Sequence, residues 1–205
     1  MISSSGKIAV STPNGAALSA DDFFVPPSPY SASDVAVTGR MTSGGSQTVN
    51  FSTASKIGMI LFEAGAGQRA AVKVTSSSIP STNVSILNPN GSVAGSGTIG
   101  TNGGIVDTPT LVTSGTYTIV VDPNASYTGS LTFTLYVFND LIGSITAGGS
   151  AVTVTTTIPG QNGQLSFSGS ANQRVSLKVS GVNLTGGTLN VANVSIKKPD
   201  GSTLV

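Results

Sequence analysis

An all-β architecture of antiparallel sandwich modules is what this sequence predicts, and three observations carry it. Of 205 residues, 56 are Ser or Thr and 26 are Gly, with only 8% charged, a mixture suited to short strands separated by many turns. Residues 114–139, SGTYTIVVDPNASYTGSLTFTLYVFN, alternate with a period of two. Tyr117, Ile119 and Val121 share one face, and Leu131, Phe133, Leu135 and Val137 do the same after a turn at Asp122-Pro123-Asn124 and Thr128-Gly129. That is the signature of two strands with one buried face, expected to pair as a hairpin. The third observation is an internal duplication.

Taken in order, the chain opens with an isolated strand pair. Lys7 to Ser11 alternates, Thr12-Pro13-Asn14-Gly15 supplies a turn, and the pattern resumes from Ala16 to Val25. Residues 1–25 thus read as a β-hairpin too small to bury its own apolar face, in need of a partner surface. Ile8, Val10, Phe23, Phe24 and Tyr30 are the candidate contact residues, either packing within the protein or meeting a neighbouring domain. Residues 26–33 begin Pro26-Pro27-Ser28-Pro29-Tyr30, which predicts an extended, semi-rigid spacer of roughly 15 Å.

From Asp34 onward the chain matches itself at an offset of about 104 to 110 residues, a comparison that properly precedes any fold assignment. TGRMTSGGS (38–46) matches IGSITAGGS (142–150), GQRAAVKV (67–74) matches NQRVSLKV (172–179), and NVSILNPNGS (83–92) matches NVSIKKPDGS (193–202). Apolar positions correspond too: Ile60 and Phe62 with Leu165 and Phe167, Val72 and Val74 with Leu177 and Val179, Val84 and Ile86 with Val194 and Ile196. Both copies, 34–139 and 140–205, are expected to share one sandwich fold of immunoglobulin-like or jelly-roll-like type. The second is incomplete. Val205 is equivalent to Gly95, so the counterpart of 114–139 is missing, and another chain or a longer protein is expected to supply it.

The segment SGTYTIVVDPNASYTGSLTFTLYV resembles the C-terminal half of bacterial pre-peptidase C-terminal domains, non-catalytic β-sandwich modules appended to secreted peptidases and repeated in surface proteins. IAVSTPNGAALSADDFFV (8–25) is similar to the closing strands of an IPT/TIG domain, which in large YD-repeat-type bacterial surface proteins precedes such modules. The resemblance implies an extracellular, modular, non-enzymatic segment at the cell surface, built for adhesion or structure. It covers the first copy best.

The composition narrows the chemistry. The chain has no His and no Cys, which removes the Ser-His-Asp arrangement, most zinc chemistry and any disulfide framework. The eight carboxylates are scattered, and the adjacent pair Asp21-Asp22 would point to opposite faces of a strand, so no enzyme is expected. A net charge of +1 gives no footprint for nucleic acid. No apolar run reaches the roughly 20 residues of a spanning helix, and the N-terminus lacks the pattern of an export signal. Asp107, Asp122 and Asp140 are candidate calcium ligands because oxygen-rich loops bind calcium in extracellular β-modules, although Asp122-Pro123-Asn124 is also explained by turn formation. Gln68-Arg69 and Gln173-Arg174 could contact carbohydrate; the simpler expectation is a solvent-facing strand start whose polar groups cap a loop. Six Asn-x-Ser/Thr sites, at Asn50, Asn83, Asn90, Asn124, Asn183 and Asn193, fit the glycosylation pattern. Three functions remain open: a structural or adhesive surface segment, a filament subunit joined by strand addition between the N-terminal hairpin and a neighbour's open sandwich, and a carbohydrate- or calcium-binding accessory module.

Overall fold

The structure is a computed structural model that describes residues 4–185 and 191–204; Val205, matched by sequence to Gly95, lies outside them. It is built from strands. The first pair is β1 (Gly6–Thr12) and β2 (Gly15–Phe23), antiparallel from Thr12↔Gly15 back to Gly6↔Phe23. Nine strands then form a sandwich: β3 (Val35–Arg40), β4 (Ser46–Phe51), β5 (Ile57–Ala64), β6 (Arg69–Ser77), β7 (Thr82–Leu87), β8 (Val93–Ile99), β9 (Gly104–Asp107), β10 (Gly115–Pro123) and β11 (Gly129–Phe138). One sheet has the order β3-β5-β10-β7-β8 and the other β4-β11-β6-β9. The all-β sandwich expected from composition and periodicity is therefore present.

The chain changes sheet at almost every turn, and this explains the one parallel pairing in the sandwich. Between β3 and β5 it passes through β4 in the opposite sheet, so it returns to β3 running the same way, with Gly39 opposite Ile60. All other ladders in the sandwich are antiparallel.

The expected hairpin at 114–139 is not one. β10 lies between β5 and β7, β11 lies between β4 and β6, and the two do not pair. The five residues 124–128 carry the chain across the roughly 10 Å between sheets. Asn124 pins this corner: its N–H donates to the Ser81 carbonyl at 3.0 Å and its Nδ2 to Ser81 Oγ at 2.6 Å. A two-residue turn would have forced the strands together; a five-residue corner held to β7's neighbour does not.

Burial follows the alternation. Tyr117, Ile119 and Val121 from β10 meet Leu131, Phe133 and Leu135 from β11 in one core with Ile60, Phe62, Val72, Val84 and Ile86. Tyr117 stacks on Phe62 with ring centroids 5.5 Å apart, and its hydroxyl donates to the Thr113 carbonyl at 2.6 Å, as a buried tyrosine requires. On the outer face of the four-stranded sheet, Thr132 and Thr134 instead face Thr48 and Ser46 across the ladder, hydroxyls 2.8 and 2.5 Å apart. β5 reads as an unbroken apolar run because both of its faces are covered. Ile60 and Phe62 face the core, while Ile57 and Met59 join Leu87 and Val120 in a second cluster under Phe24, Tyr30 and Val35.

That second cluster overturns the extended spacer. Residues 26–33 fold back on the five-stranded sheet, with the Tyr30 N–H donating to the Pro27 carbonyl at 2.9 Å and a single 3-10 turn at Ala32–Asp34. An extended polyproline path would have left Ile57, Met59 and Val120 in water.

Residues 140–167 belong to the same compact unit as the sandwich. They contain β12 (Leu141–Ser144) and β13 (Gly163–Ser166), a two-stranded parallel pair. Its register repeats that of β3 and β5: Gly143 lies opposite Leu165 as Gly39 lies opposite Ile60. In both pairs glycine makes room, since an added Cβ would sit 3.3 Å from Ile60 Cδ1 and 2.9 Å from Leu165 Cδ2.

Residues 168–205 form a separate unit. Its described part has no strand, yet its turns match the first copy. The Gln173 side chain accepts from the Ser170 N–H at 2.9 Å as Gln68 accepts from Gly65 at 2.6 Å. The Lys198 N–H donates to the Ser202 carbonyl as Asn88 does to Ser92, both at 2.8 Å. An isolated bridge joins Lys197 and Thr203, the counterparts of the paired Leu87 and Val93.

Among its described residues the second copy does not show the sandwich expected of it. In the first copy β5 reaches β7 only through β10, and β4 reaches β6 only through β11. What the described residues of the second copy share with the first is the parallel opening pair, the Lys198–Ser202 turn and its flanking bridge.

Candidate functional site

Three surfaces collect the residues the sequence singled out. The first is built around Arg69 at the start of β6. Its guanidinium is buried and makes four hydrogen bonds: Nε donates to the Thr108 carbonyl at 2.8 Å, Nη1 to the Gly160 carbonyl at 2.7 Å and to Asp140 at 3.1 Å, and Nη2 to Asp107 at 2.5 Å. The Phe138 ring lies 5.7 Å from the guanidinium carbon. A planar five-donor fork suits this many convergent acceptors where a lysine would not. The solvent-facing strand start expected here holds for Gln68, which caps the Gly65 loop, but not for Arg69. Arg174, its counterpart, is exposed.

Arg69 also changes the reading of two calcium candidates. Asp107 and Asp140 do converge, but on a guanidinium already supplied by the chain. Asp140 accepts the Asn162 N–H as well, at 2.9 Å. Among the described residues, no group of three or more His, Cys, Asp or Glu is placed to hold a metal ion. The cluster's effect is mechanical. It fastens Asp140 and Gly160 to the start of β6 and the end of β9. Asp140 was legible as a loop acid; its tie to Arg69, 71 residues earlier, was not.

The third candidate acid, Asp122, lies apart on the outer face of the five-stranded sheet and accepts the Tyr30 hydroxyl at 2.7 Å. Tyr30, Pro27, Asn83, Leu87, Thr98 and Asp122 line a shallow groove there. Burial, reinforced by the Asp122 carboxylate, raises the Tyr30 hydroxyl to about 12 from its ordinary 10.0. A group whose folded value is raised contributes in full below the unfolded value, and the contribution is lost as pH rises through the folded one. The stability of the first unit is therefore expected to fall between pH 10 and 12. Tyr30→Phe should remove part of that fall and cost about 1 kcal/mol at neutral pH, measured by urea titration at both pH values.

The N-terminal hairpin is the third surface. Its root is held: Ser5 bonds Val25 through both N–H and carbonyl, and Arg40 grips Asp22 at 2.7 and 2.8 Å while reaching Glu63 at 2.7 Å. That guanidinium keeps the Asp22 carboxyl below its ordinary range. Phe24 and Tyr30 pack against the sandwich, whereas Ile8, Val10, Leu18 and Phe23 are exposed. The five candidate contact residues thus separate into two that lock the hairpin's base and three that face outward. Leu18, exposed in the same way, was missed in the sequence because Ala-rich neighbours mask its alternation.

Neither a protein-family model nor a curated protein matches this chain. Among solved structures, it is similar to the pre-peptidase C-terminal domain of a collagenase from Bacillus anthracis, at 10% identity over 48% of this chain and 93% of that one, TM-score 0.39. It is also similar to PliG of Aeromonas hydrophila, a periplasmic inhibitor of g-type lysozyme, at 18% identity over 49% and 98% of the two chains, TM-score 0.36. A mutant of the corresponding inhibitor from Escherichia coli gives 12% identity over 48% and 97%, TM-score 0.32.

Proposed function

We propose that this chain is a non-catalytic structural and adhesive segment of an extracellular or cell-surface bacterial protein, built from tandem β-sandwich modules. The observation that supports this reading is the Arg69 cluster, a buried charged fork that ties Asp140 and Gly160, where the repeated pattern begins again, to β6 and β9 of the sandwich. A seam of that kind serves chains that must hold consecutive modules together. The absence of His and Cys from the sequence and the engagement of Asp107, Asp122 and Asp140 in bonds within the fold support a role without catalysis. The likeness of residues 114–137 to pre-peptidase C-terminal domains supports secretion and modular use, with the N-terminal hairpin as the end of an IPT/TIG-like neighbour.

The test is a panel of glycans, matrix proteins and hydrolase substrates presented to the immobilised protein, with calcium followed by calorimetry. The expected outcome is retention of a macromolecule with no substrate turned over. Turnover would overturn the reading, and heat from calcium or a sugar would favour an accessory domain of a secreted hydrolase instead.

The exposure of Ile8 and Val10 on one face of the hairpin, with Leu18 on the other and Phe23 at its base, favours a second reading, in which a neighbouring domain or an identical subunit packs on the hairpin and chains assemble into filaments. Light scattering and negative-stain microscopy decide it: fibres that vanish on deleting residues 1–25 support assembly, and a stable monomer at micromolar concentration sinks it.

A further inference from the structure

We infer that residues 24–34 are a releasable strap: tension between the N-terminal hairpin and the exit of the sandwich at Asn139 peels them off the five-stranded sheet before any strand of the sandwich is lost. This rests on the surface-segment reading, in which force passes along the chain, and adds a mechanical role to it.

The hairpin is rooted at the end of the sandwich where β3 finishes and β10 begins. Arg40, the last residue of β3, holds Asp22, and a Cβ added to Gly6 would lie 3.4 Å from Thr116 Oγ1. From there the chain crosses the outer face of the five-stranded sheet to the opposite end. Tyr30 reaches Asp122 near the finish of β10, the Ser33 carbonyl accepts from Lys56 Nζ at 2.7 Å, and Val35 enters the sheet beside Ile57. β3 then runs back to the first end, and β11 finishes there too, where the turn after β3 bonds the Leu135 and Val137 carbonyls through Gly44 N–H and Ser43 Oγ. Hairpin and exit therefore lie at the same end, with the strap folded between them.

The strap and the strands answer tension differently. No residue of the strap pairs in a ladder. It is held by Phe24 and Tyr30 on the cluster of Ile57, Met59, Leu87 and Val120, by the Tyr30–Asp122 and Lys56–Ser33 bonds, and at its root by Arg40 with Asp22 and Ser5 with Val25. A pull on the hairpin loads these ties one after another from the root. Once the strap is straight, force enters at Val35 and leaves at Phe138, at opposite ends of strands that run the same way. That is shear, in which the ladder bonds lying across the pull must yield together. Forced unfolding is set by the rate of barrier crossing, and the one-at-a-time route has the lower barrier. Release is also reversible. Arg40 keeps its 2.7 Å bond to Glu63 when Asp22 leaves, so no cation is stranded, and the uncovered Ile57, Met59 and Val120 draw the strap back when tension falls.

The chain has no Cys, so Asn14→Cys in the hairpin turn and Asn139→Cys, both at exposed positions, give handle sites for optical tweezers on the full 205-residue protein. The expected record is a first, reversible step that frees residues 24–34, about 40 Å of chain at full extension, at a lower force than the sandwich step. Arg40→Ala should speed that first step about 10-fold at fixed force and leave the sandwich step in place. Salt at about 1 M should act in the same direction, because the Arg40 pairs are partly exposed and are screened. Hydrogen exchange supplies an independent measurement. The Tyr30 and Asp34 amides, bonded to the Pro27 and Ser31 carbonyls, should exchange roughly 100-fold faster than those of Ile119 and Val121 in β10. A single step in which strap and sandwich yield together, or a sandwich step that comes first, would overturn the inference. So would Tyr30 and Asp34 amides protected as well as those of β10. None of these outcomes depends on the binding and turnover panel, so the two readings fail separately.

Discussion

Phe62→Ala is expected to destabilise the protein by about 4 kcal/mol, the cost of emptying a fully buried aromatic site, whereas Phe167→Ala, at the matching position of the second copy, should change stability by less than about 0.5 kcal/mol. Phe62 is stacked on Tyr117 inside a closed core, and its loss leaves a cavity that β5 and β10, each held on two edges, cannot collapse to fill. Phe167 is 40% exposed and already in contact with water. Urea denaturation of the two purified variants, followed by circular dichroism, compares them directly. An equal cost at both positions would mean that the second copy already holds a packed core.

The second large effect is expected at Arg69. Replacing it with Ala leaves Asp107 and Asp140 without their shared cation and strips the Thr108 and Gly160 carbonyls of a donor. Breaking a buried charged cluster from one side costs about 3 kcal/mol. The substitution should also release the opening of the second copy, seen as faster hydrogen exchange across residues 140–163 while β10 and β11 stay protected. Arg69→Lys should behave like the Ala variant, since an ammonium cannot meet acceptors spread along both edges of a guanidinium plane. Arg174→Ala, at the exposed counterpart, should be close to neutral in stability. Wild-type exchange in residues 140–163 of Arg69→Ala would show that the cluster contributes nothing to the seam.

Much of the core was readable because one residue in two along β10 and β11 is large and apolar, and a buried sheet face leaves that mark whatever the topology. Tyr117, Ile119, Leu131 and Phe133 all lie where the alternation places them. The candidate surfaces were less legible. Phe24 and Tyr30 lie among prolines that suggest an extended spacer, and only the apolar outer face of β5, where Ile57 and Met59 need cover, gives the chain a reason to fold back. Arg69 and Arg174 have the same local sequence context, yet one is buried and the other exposed, because its acceptors come from residues 38 to 91 positions away.

Periodicity, turn residues and self-similarity, all local properties, determined from the sequence alone that this is a β-protein with a repeated pattern and which positions face a core. Strand order was decided only in three dimensions. Nothing local in Asp122-Pro123-Asn124 distinguishes a hairpin from a corner between sheets; the choice is made by the edges of β5, β7, β4 and β6, which offer β10 and β11 two partners each. Residues 114–139 therefore supply an interior strand to each of the two sheets, a placement that pairing with β5, β7, β4 and β6 decides and local sequence does not.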